Sequence, residues 1–183
     1  MYLGIDLGTS NSAVVGNLNS QLRVFKTSDD SDVLPSVIYI DQRGHRLYGR
    51  RAYEQTRLSP DNVAKGFKRL MGTSTPMKFR ASGQVMTPEE CSVEILRQLV
   101  SHALLETNAS EIVGTAITVP AAFNQMQSEA TLRAAAAAGL DRVVLLQEPI
   151  AAAMATSPDI VIFSPDIVIL TQEGLLAALL LTD

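Results

Sequence analysis

Close to the N-terminus, Asp6 is followed by Gly8, Thr9, Ser10, Asn11 and Ser12. These residue types at this spacing suit phosphate chemistry. Glycine accepts positive φ and lets another group approach the backbone closely. The N–H groups of Gly8 to Asn11 can converge as an anion-binding nest, and the hydroxyls of Thr9 and Ser10 add donors. A carboxylate at Asp6 suits a hydrated divalent metal. A second candidate is the basic pair Lys68-Arg69, set between apolar neighbours and followed by Gly72. Both stretches also fit simpler readings: a polar hairpin turn for 7–12 and a solvated basic turn for 68–69. Cys91 and His102 have no companion at catalytic or metal-ligand spacing, so each reads as structural.

These groups need elements to carry them. Tyr2 to Ile5 is a short apolar strand running into Asp6, and Ala13 to Val15 resumes one, so the opening reads as a β-hairpin. Leu22 to Phe25 adds a third strand, and Asp29 to Asp32 a polar turn. Leu34 to Ile40 is strand-like and bounded by Asp41 to Gly44, Leu47 to Gly49 continues the pattern, and Arg50 to Arg57 looks helical. Thr87-Pro88-Glu89-Glu90 is a capping box with proline at the first helical position. The helix it opens is expected to run to about Glu106, with Val93, Leu96, Val100, Ala103 and Leu104 on one apolar face. Ala116 to Val119 reads as a buried strand ended by Pro120. Asn124 caps a helix over Gln125 to Ala138, with Gly139 as its C-cap. The alanines 134–138 suit close packing. Arg142 to Leu146 is another strand, and Gln147 to Ala153 turns into a helix. Strand and helix alternating in this way give parallel units with right-handed crossovers. Ligands in such sheets sit at the carboxyl ends of the strands, and Asp6, Pro120 and Glu148 all fall at predicted strand ends.

The chain has 183 residues, 46% hydrophobic and 19% charged, a globular balance that suits one sizeable domain or one lobe of a larger one. Its net charge of −4 offers no basic field for nucleic acid. The single cysteine, Cys91, allows no disulfide within the chain. No leader is visible at the N-terminus, and the apolar run Leu175 to Leu181 is too short to span a bilayer. The expectation is a soluble cytoplasmic protein that binds neither nucleic acid nor membrane.

The wording of several stretches carries a resemblance. GIDLGTSNS at residues 4–12 is similar to the first phosphate loop of the seventy-kilodalton heat-shock chaperones (DnaK-type), G-I-D-L-G-T-T-N-S, with Ser10 for threonine. Leu34-Pro35-Ser36, Tyr48-Gly49 and Ala52 follow the family's order. FKRLMG at 67–72 resembles the segment carrying its phosphate-site lysine, which falls on Lys68. ITVPAAFN at 117–124 is close to I-T-V-P-A-Y-F-N, with Ala122 for tyrosine, and QEPIAAAMA at 147–155 to the family's N-E-P-T-A-A-A-L/M-A. The fold this implies is α/β: the first lobe of an actin-like ATPase domain over residues 1–155, a ribonuclease-H-like mixed sheet flanked by helices. A small α/β insertion at roughly 33–95 belongs to it, and 156–183 is the start of the second lobe.

The resemblance implies that Gly8, Thr9, Ser10 and Asn11 contact the phosphates of ATP or ADP, and that Asp6 holds Mg2+ through water. It implies that Lys68 positions the γ-phosphate and the attacking water, that Glu148 assists hydrolysis, that Thr9 belongs to the catalytic set, and that Pro120 relays conformational change. In the intact family, hydrolysis switches affinity for unfolded peptides, with J-domain co-chaperones and nucleotide-exchange factors as partners.

Two stretches depart from the pattern. Ser157 to Phe163 and Ser164 to Leu170 form a near-repeat of seven residues that reads as a hairpin of two buried strands. After Phe163 the family has D-L-G-G-G-T-F-D, its second phosphate loop, whereas this chain has Ser164-Pro165. Gln172 to Leu181 resembles the family's next strands. Ser128 stands where the family usually has an arginine that couples domains. These departures keep a second class open, a non-catalytic actin-like module that binds a partner protein. A sugar or acetate kinase of the same superfold is a third reading. Three consequences are expected. Asp6, Thr9, Lys68 and Glu148 converge on one cleft, nucleotide affinity follows magnesium and phosphate number, and the 183-residue chain alone does not turn over ATP at the family's rate.

Overall fold

The computed structural model describes residues 1–18, 21–107, 111–156, 163–164, 167–172 and 175–180. Strands β1 (Tyr2–Asp6), β2 (Asn11–Leu18) and β3 (Gln21–Val24) form an antiparallel meander, and β4 (Leu34–Pro35) pairs with the start of β2. Next come β5 (Val37–Ile40), β6 (Arg46–Tyr48), helix α1 (Gly49–Leu58) and β7 (Val63–Lys65), then the hairpin β8 (Met77–Phe79) and β9 (Gln84–Met86). The chain continues with α2 (Pro88–Thr107), β10 (Gly114–Val119), α3 (Gln125–Ala137), β11 (Val143–Gln147) and α4 (Glu148–Thr156). The main sheet is six-stranded and mixed, in the order β11-β10-β1-β2-β3 with β4 on β2. β1, β10 and β11 are mutually parallel, as the alternation of strand and helix requires.

Local sequence explains where the helices begin and end. Thr87 Oγ1 accepts from the Glu90 N–H at 3.1 Å, and the Glu90 carboxylate accepts from the Thr87 N–H at 2.6 Å, the reciprocal box that opens α2. α3 opens with the same device between Asn124 and Gln127, both bonds 3.0 Å. It closes one residue earlier than expected. Ala138 is the cap, and the N–H groups of Gly139 and Leu140 donate to the carbonyls of Ala136 and Ala135. The core joins Leu3, Ile5, Val14 and Ile117 of the sheet to Ile95, Leu96 and Leu99 of α2 and to Ala130, Ala134 and Ala135 of α3, all at most 1% exposed. Ile95 and Leu99 widen the face expected for α2. Each of the Leu, Ile and Val side chains contributes about 1.5–3 kcal/mol by leaving water.

Outside the main sheet, β6-β5-β7 form a small antiparallel sheet, with β8 and β9 as a separate hairpin. The elements concerned run from Val37 to Met86. β7, β8 and β9 were not expected. Each has three residues, too few for an alternating pattern to register. β11 is half-buried along four of its five residues. In the tail, β12 (Phe163–Ser164), β13 (Ile167–Gln172) and β14 (Leu175–Leu180) pair antiparallel in that order. Only Phe163 of the first repeat copy enters this pairing, facing Val168, whereas Ser164 and Ile167 both belong to the second copy, whose long partner is β14. The rest of the first copy, 157–162, lies outside the described residues.

Candidate functional site

The three parallel strands end at one edge of the sheet. Asp6 is the last residue of β1 and faces Thr118 of β10, which in turn faces Leu146 of β11. Pro120 follows the last residue of β10, and Glu148 follows the last residue of β11 as the first residue of α4. Asp6 and Leu146 are therefore two strand spacings apart, about 10 Å. The strand-end placement expected for Asp6, Pro120 and Glu148 is what the register shows. The Asp6 side chain is exposed, and its Oδ1 accepts a 2.7 Å hydrogen bond from the Thr118 hydroxyl. That bond fixes the carboxylate, and its other oxygen has no partner among the described residues.

The loop after β1 is held from within. Gly8 N–H donates to Ser12 Oγ at 3.1 Å, Ser36 Oγ donates to Gly8 O at 2.8 Å, and the two serine hydroxyls are 2.9 Å apart. Because the Ser36 proton goes to Gly8 O, Ser12 donates to Ser36, and every group in the ring is used once. Both serines are 1% exposed. The Ser36 N–H adds a 2.8 Å bond to Ser10 O. Two expectations for the loop need correction. Gly8 is not in the left-handed region; it is needed for space, because a Cβ there would stand 1.9 Å from the Asn11 carbonyl oxygen. Its N–H is also committed to Ser12, so it does not join a nest. The N–H groups of Thr9 and Ser10 have no partner among the described residues; Thr9 is half-buried and Ser10 exposed.

Lys68 reaches the same edge from the segment between β7 and β8. It sits in a single 3₁₀ turn, Phe67–Leu70, opened by Gly66 at φ 68°. The lysine is 4% exposed, so it is not part of a solvated basic turn, whereas Arg69 is exposed. Lys68 Nζ donates to Glu148 Oε1 at 2.6 Å across 80 residues of sequence. The carboxylate side chain is 43% exposed, so one partner is buried and the other meets water. The Lys68 ammonium also lies 5.8 Å from the centroid of the Phe123 ring. Glu148 occupies the first turn of α4, where the helix dipole favours a negative charge.

Other candidates fall away from this edge. Cys91 is fully buried, and burial together with Glu90 and Glu94 pushes its thiol up to about 12, which makes it inert. The His102 Nδ1 is buried without a hydrogen-bond partner among the described residues, and burial holds the ring below its ordinary pKa. An open groove of about 470 Å³ runs along the β8–β9 hairpin beside Pro60, Asp61 and Val85, away from the strand ends. Sequence reading missed Thr118, Ser12 and Phe123 as parts of the site. Ser36 was visible only as the end of the Leu34-Pro35-Ser36 pattern, with no sign that it pins the loop.

The donor set also says what kind of group fits. Among the described residues, no group of three or more His, Cys, Asp or Glu could hold a metal ion. One exposed carboxylate, at an edge that also carries two N–H groups without a partner among the described residues and the Lys68–Glu148 pair, suits a cation held through water and phosphate oxygens and not a metal caged by protein alone. No helix among the described residues is long and apolar enough to cross a membrane.

Comparison with known proteins agrees with this geometry. The profile of the family described as Hsp70 protein matches residues 2–158. The chain is 38% identical over 177 aligned positions to the chaperone protein HscA homolog of Burkholderia ambifaria (strain MC40-6), covering 87% of this chain and 28% of that one. It is 37% identical over 158 positions to the chaperone protein DnaK of Thermotoga petrophila, covering 86% of this chain and 26% of that one, and equally similar to DnaK of Thermotoga maritima. The chain thus spans little more than a quarter of the length of these curated relatives. The mixed sheet flanked by helices, the strand-end site and the match over residues 2–158 place the chain in the Hsp70 family.

Proposed function

We propose that the chain is the nucleotide-binding lobe of a chaperone and holds the phosphates of ATP or ADP, with Mg2+, at the carboxyl edge of its sheet. The observation that carries this reading is the meeting of Lys68 and Glu148 at the edge where β1, β10 and β11 end. In this reading the N–H groups of Thr9 and Ser10, their hydroxyls and Asn11 face the phosphates, and Gly8 supplies the space for them. Asp6 holds the cation through water with one oxygen, while Thr118 fixes the other. Lys68 gives up Glu148 in part to a terminal phosphate, and the released carboxylate orients water. Pro120, at the end of β10, transmits the change to α3. Bound there, a magnesium nucleotide supplies the transferable phosphoryl group and the metal's neutralising charge.

Residues 1–155 form the first lobe in this reading, with the insertion near 33–95, and 156–183 begin the second. The whole protein works in the cytoplasm, coupling hydrolysis to binding and release of unfolded peptides with J-domain co-chaperones and nucleotide-exchange factors. A second reading, a non-catalytic module that binds a partner protein, is favoured by Ser128 and by Ser164-Pro165 in place of D-L-G-G-G-T. Membership of the Hsp70 family leaves no support for the sugar or acetate kinase reading.

Calorimetric titration tests the proposal. Affinity is expected to fall from ATP to ADP to adenosine and to drop when magnesium is removed; equal affinity for ADP and adenosine contradicts it. The same preparation is expected to show no hydrolysis above background. Proline has no N–H to donate at the opposite wall, and each missing preorganised donor costs roughly a hundred- to a thousandfold in rate. Magnesium-dependent hydrolysis that Lys68→Ala abolishes would show that one wall suffices.

A further inference from the structure

The Lys68 ammonium has a neighbour that the phosphate reading leaves unused. Its Nζ lies over the Phe123 ring, 5.8 Å from the centroid. A cation within about 6 Å of an aromatic face is attracted by the ring quadrupole, most strongly where water is excluded. Lys68 is 4% exposed, so its charge meets the Glu148 carboxylate, the ring and little water.

The ring is held where a positioning group should be. The Phe123 N–H donates to Pro120 O at 3.0 Å, closing a turn at the end of β10. The next residue, Asn124, starts the capping box of α3. The turn that carries Lys68 leans on the same segment. Gly72, at φ 77°, packs so closely on the Met126 backbone that a Cβ would lie 3.1 Å from its carbonyl. Glu148, by contrast, is 43% exposed and can turn toward solvent.

We propose that Phe123 is a positioning residue that keeps the Lys68 ammonium at the strand-end edge when a phosphate takes the place of Glu148. A carboxylate neutralises the lysine it holds. An aromatic face holds the lysine and leaves its full charge for an anion. The proposal rests on the reading of Lys68 as the group that meets the terminal phosphate.

The test replaces Phe123 in the 183-residue chain with mono-, di- and trifluorophenylalanine, which weaken the ring face with little change in size. Calorimetry then compares ATP with ADP. The preference for ATP is expected to fall stepwise, by roughly two- to fivefold across the series, with thermal midpoint and adenosine affinity unchanged. Phe123→Leu is expected to match the trifluoro end point and Phe123→Tyr to match the parent. If Phe123→Leu does not fold, the fluorinated series decides alone. A flat series in a protein whose ATP preference is lost in Lys68→Ala overturns the role of the ring and leaves the phosphate reading standing. A preference that survives Lys68→Ala removes the phosphate reading, and this proposal with it.

Discussion

The two halves of the strand-end edge are built from opposite kinds of interaction. On the Asp6 side, hydrogen bonds from uncharged donors do the holding: Thr118 to Asp6, and the closed ring of Gly8, Ser12 and Ser36. This side keeps its shape while leaving the Thr9 and Ser10 N–H groups and one Asp6 oxygen without a partner among the described residues. On the Lys68 side, two opposite charges satisfy each other at 2.6 Å. An anion arriving at the first half displaces only water. At the second it competes with Glu148, and the cost is moderate because that carboxylate already meets solvent. In the proposed reading, one half is a fixed receptor and the other exchanges partners.

The largest expected effect breaks the fixed half. Gly8→Ala would place a methyl group 1.9 Å from the Asn11 carbonyl oxygen, so the loop must open. We expect a stability loss of about 3 kcal/mol in chemical denaturation and no detectable phosphate-dependent binding by calorimetry.

The exchanging half makes an asymmetric prediction. Glu148→Ala strands a buried ammonium, whereas Lys68→Met leaves a carboxylate that water can solvate. Breaking a fully buried pair costs about 3–5 kcal/mol, and the exposure of Glu148 lowers this to roughly 2–3 kcal/mol for Glu148→Ala. Lys68→Met, which removes the charge and keeps most of the buried stem, should cost less, about 1 kcal/mol. Denaturation midpoints check the order, and equal losses would mean that the lysine is not the buried partner.

A smaller change sharpens the Asp6 side. Thr118→Val keeps the shape and removes the donor to Asp6 Oδ1. Stability should change by about 1 kcal/mol, while magnesium dependence of nucleotide affinity weakens about tenfold, as for other groups that orient a metal-facing ligand. Thr118→Ser should retain most of it.

Much of this architecture was legible in the chain. Ala116 to Val119 and Arg142 to Leu146 are apolar runs bounded by Pro120 and by Gln147-Glu148-Pro149, and Thr87 and Asn124 announce their helices with capping boxes. Strand ends were therefore readable, and with them the positions of Asp6, Pro120 and Glu148. The details that distinguish the two halves were not. Nothing in Phe67-Lys68-Arg69-Leu70 separates the buried lysine from its exposed neighbour; the partner that does so lies 80 residues away. Thr118 looks like any β-branched strand residue until β1 is laid beside β10, 112 residues apart in sequence from Asp6. Gly8 was readable as a special position, but close approach and positive φ leave the same letter in a sequence, and the structure shows that close approach alone is the reason.

The central claim is that phosphates bind at the strand-end edge, and backbone amide NMR of the 19.7 kDa chain tests it most directly. Titration with magnesium ADP is expected to shift amides at residues 6–12, 66–70, 118–119, 121–124, 147–148 and 150. The Thr9 and Ser10 amides should move most, and adenosine alone should leave them in place. Shifts confined to the groove at 60–61 and 78–85, or Thr9 and Ser10 amides that respond equally to adenosine and ADP, would contradict the account.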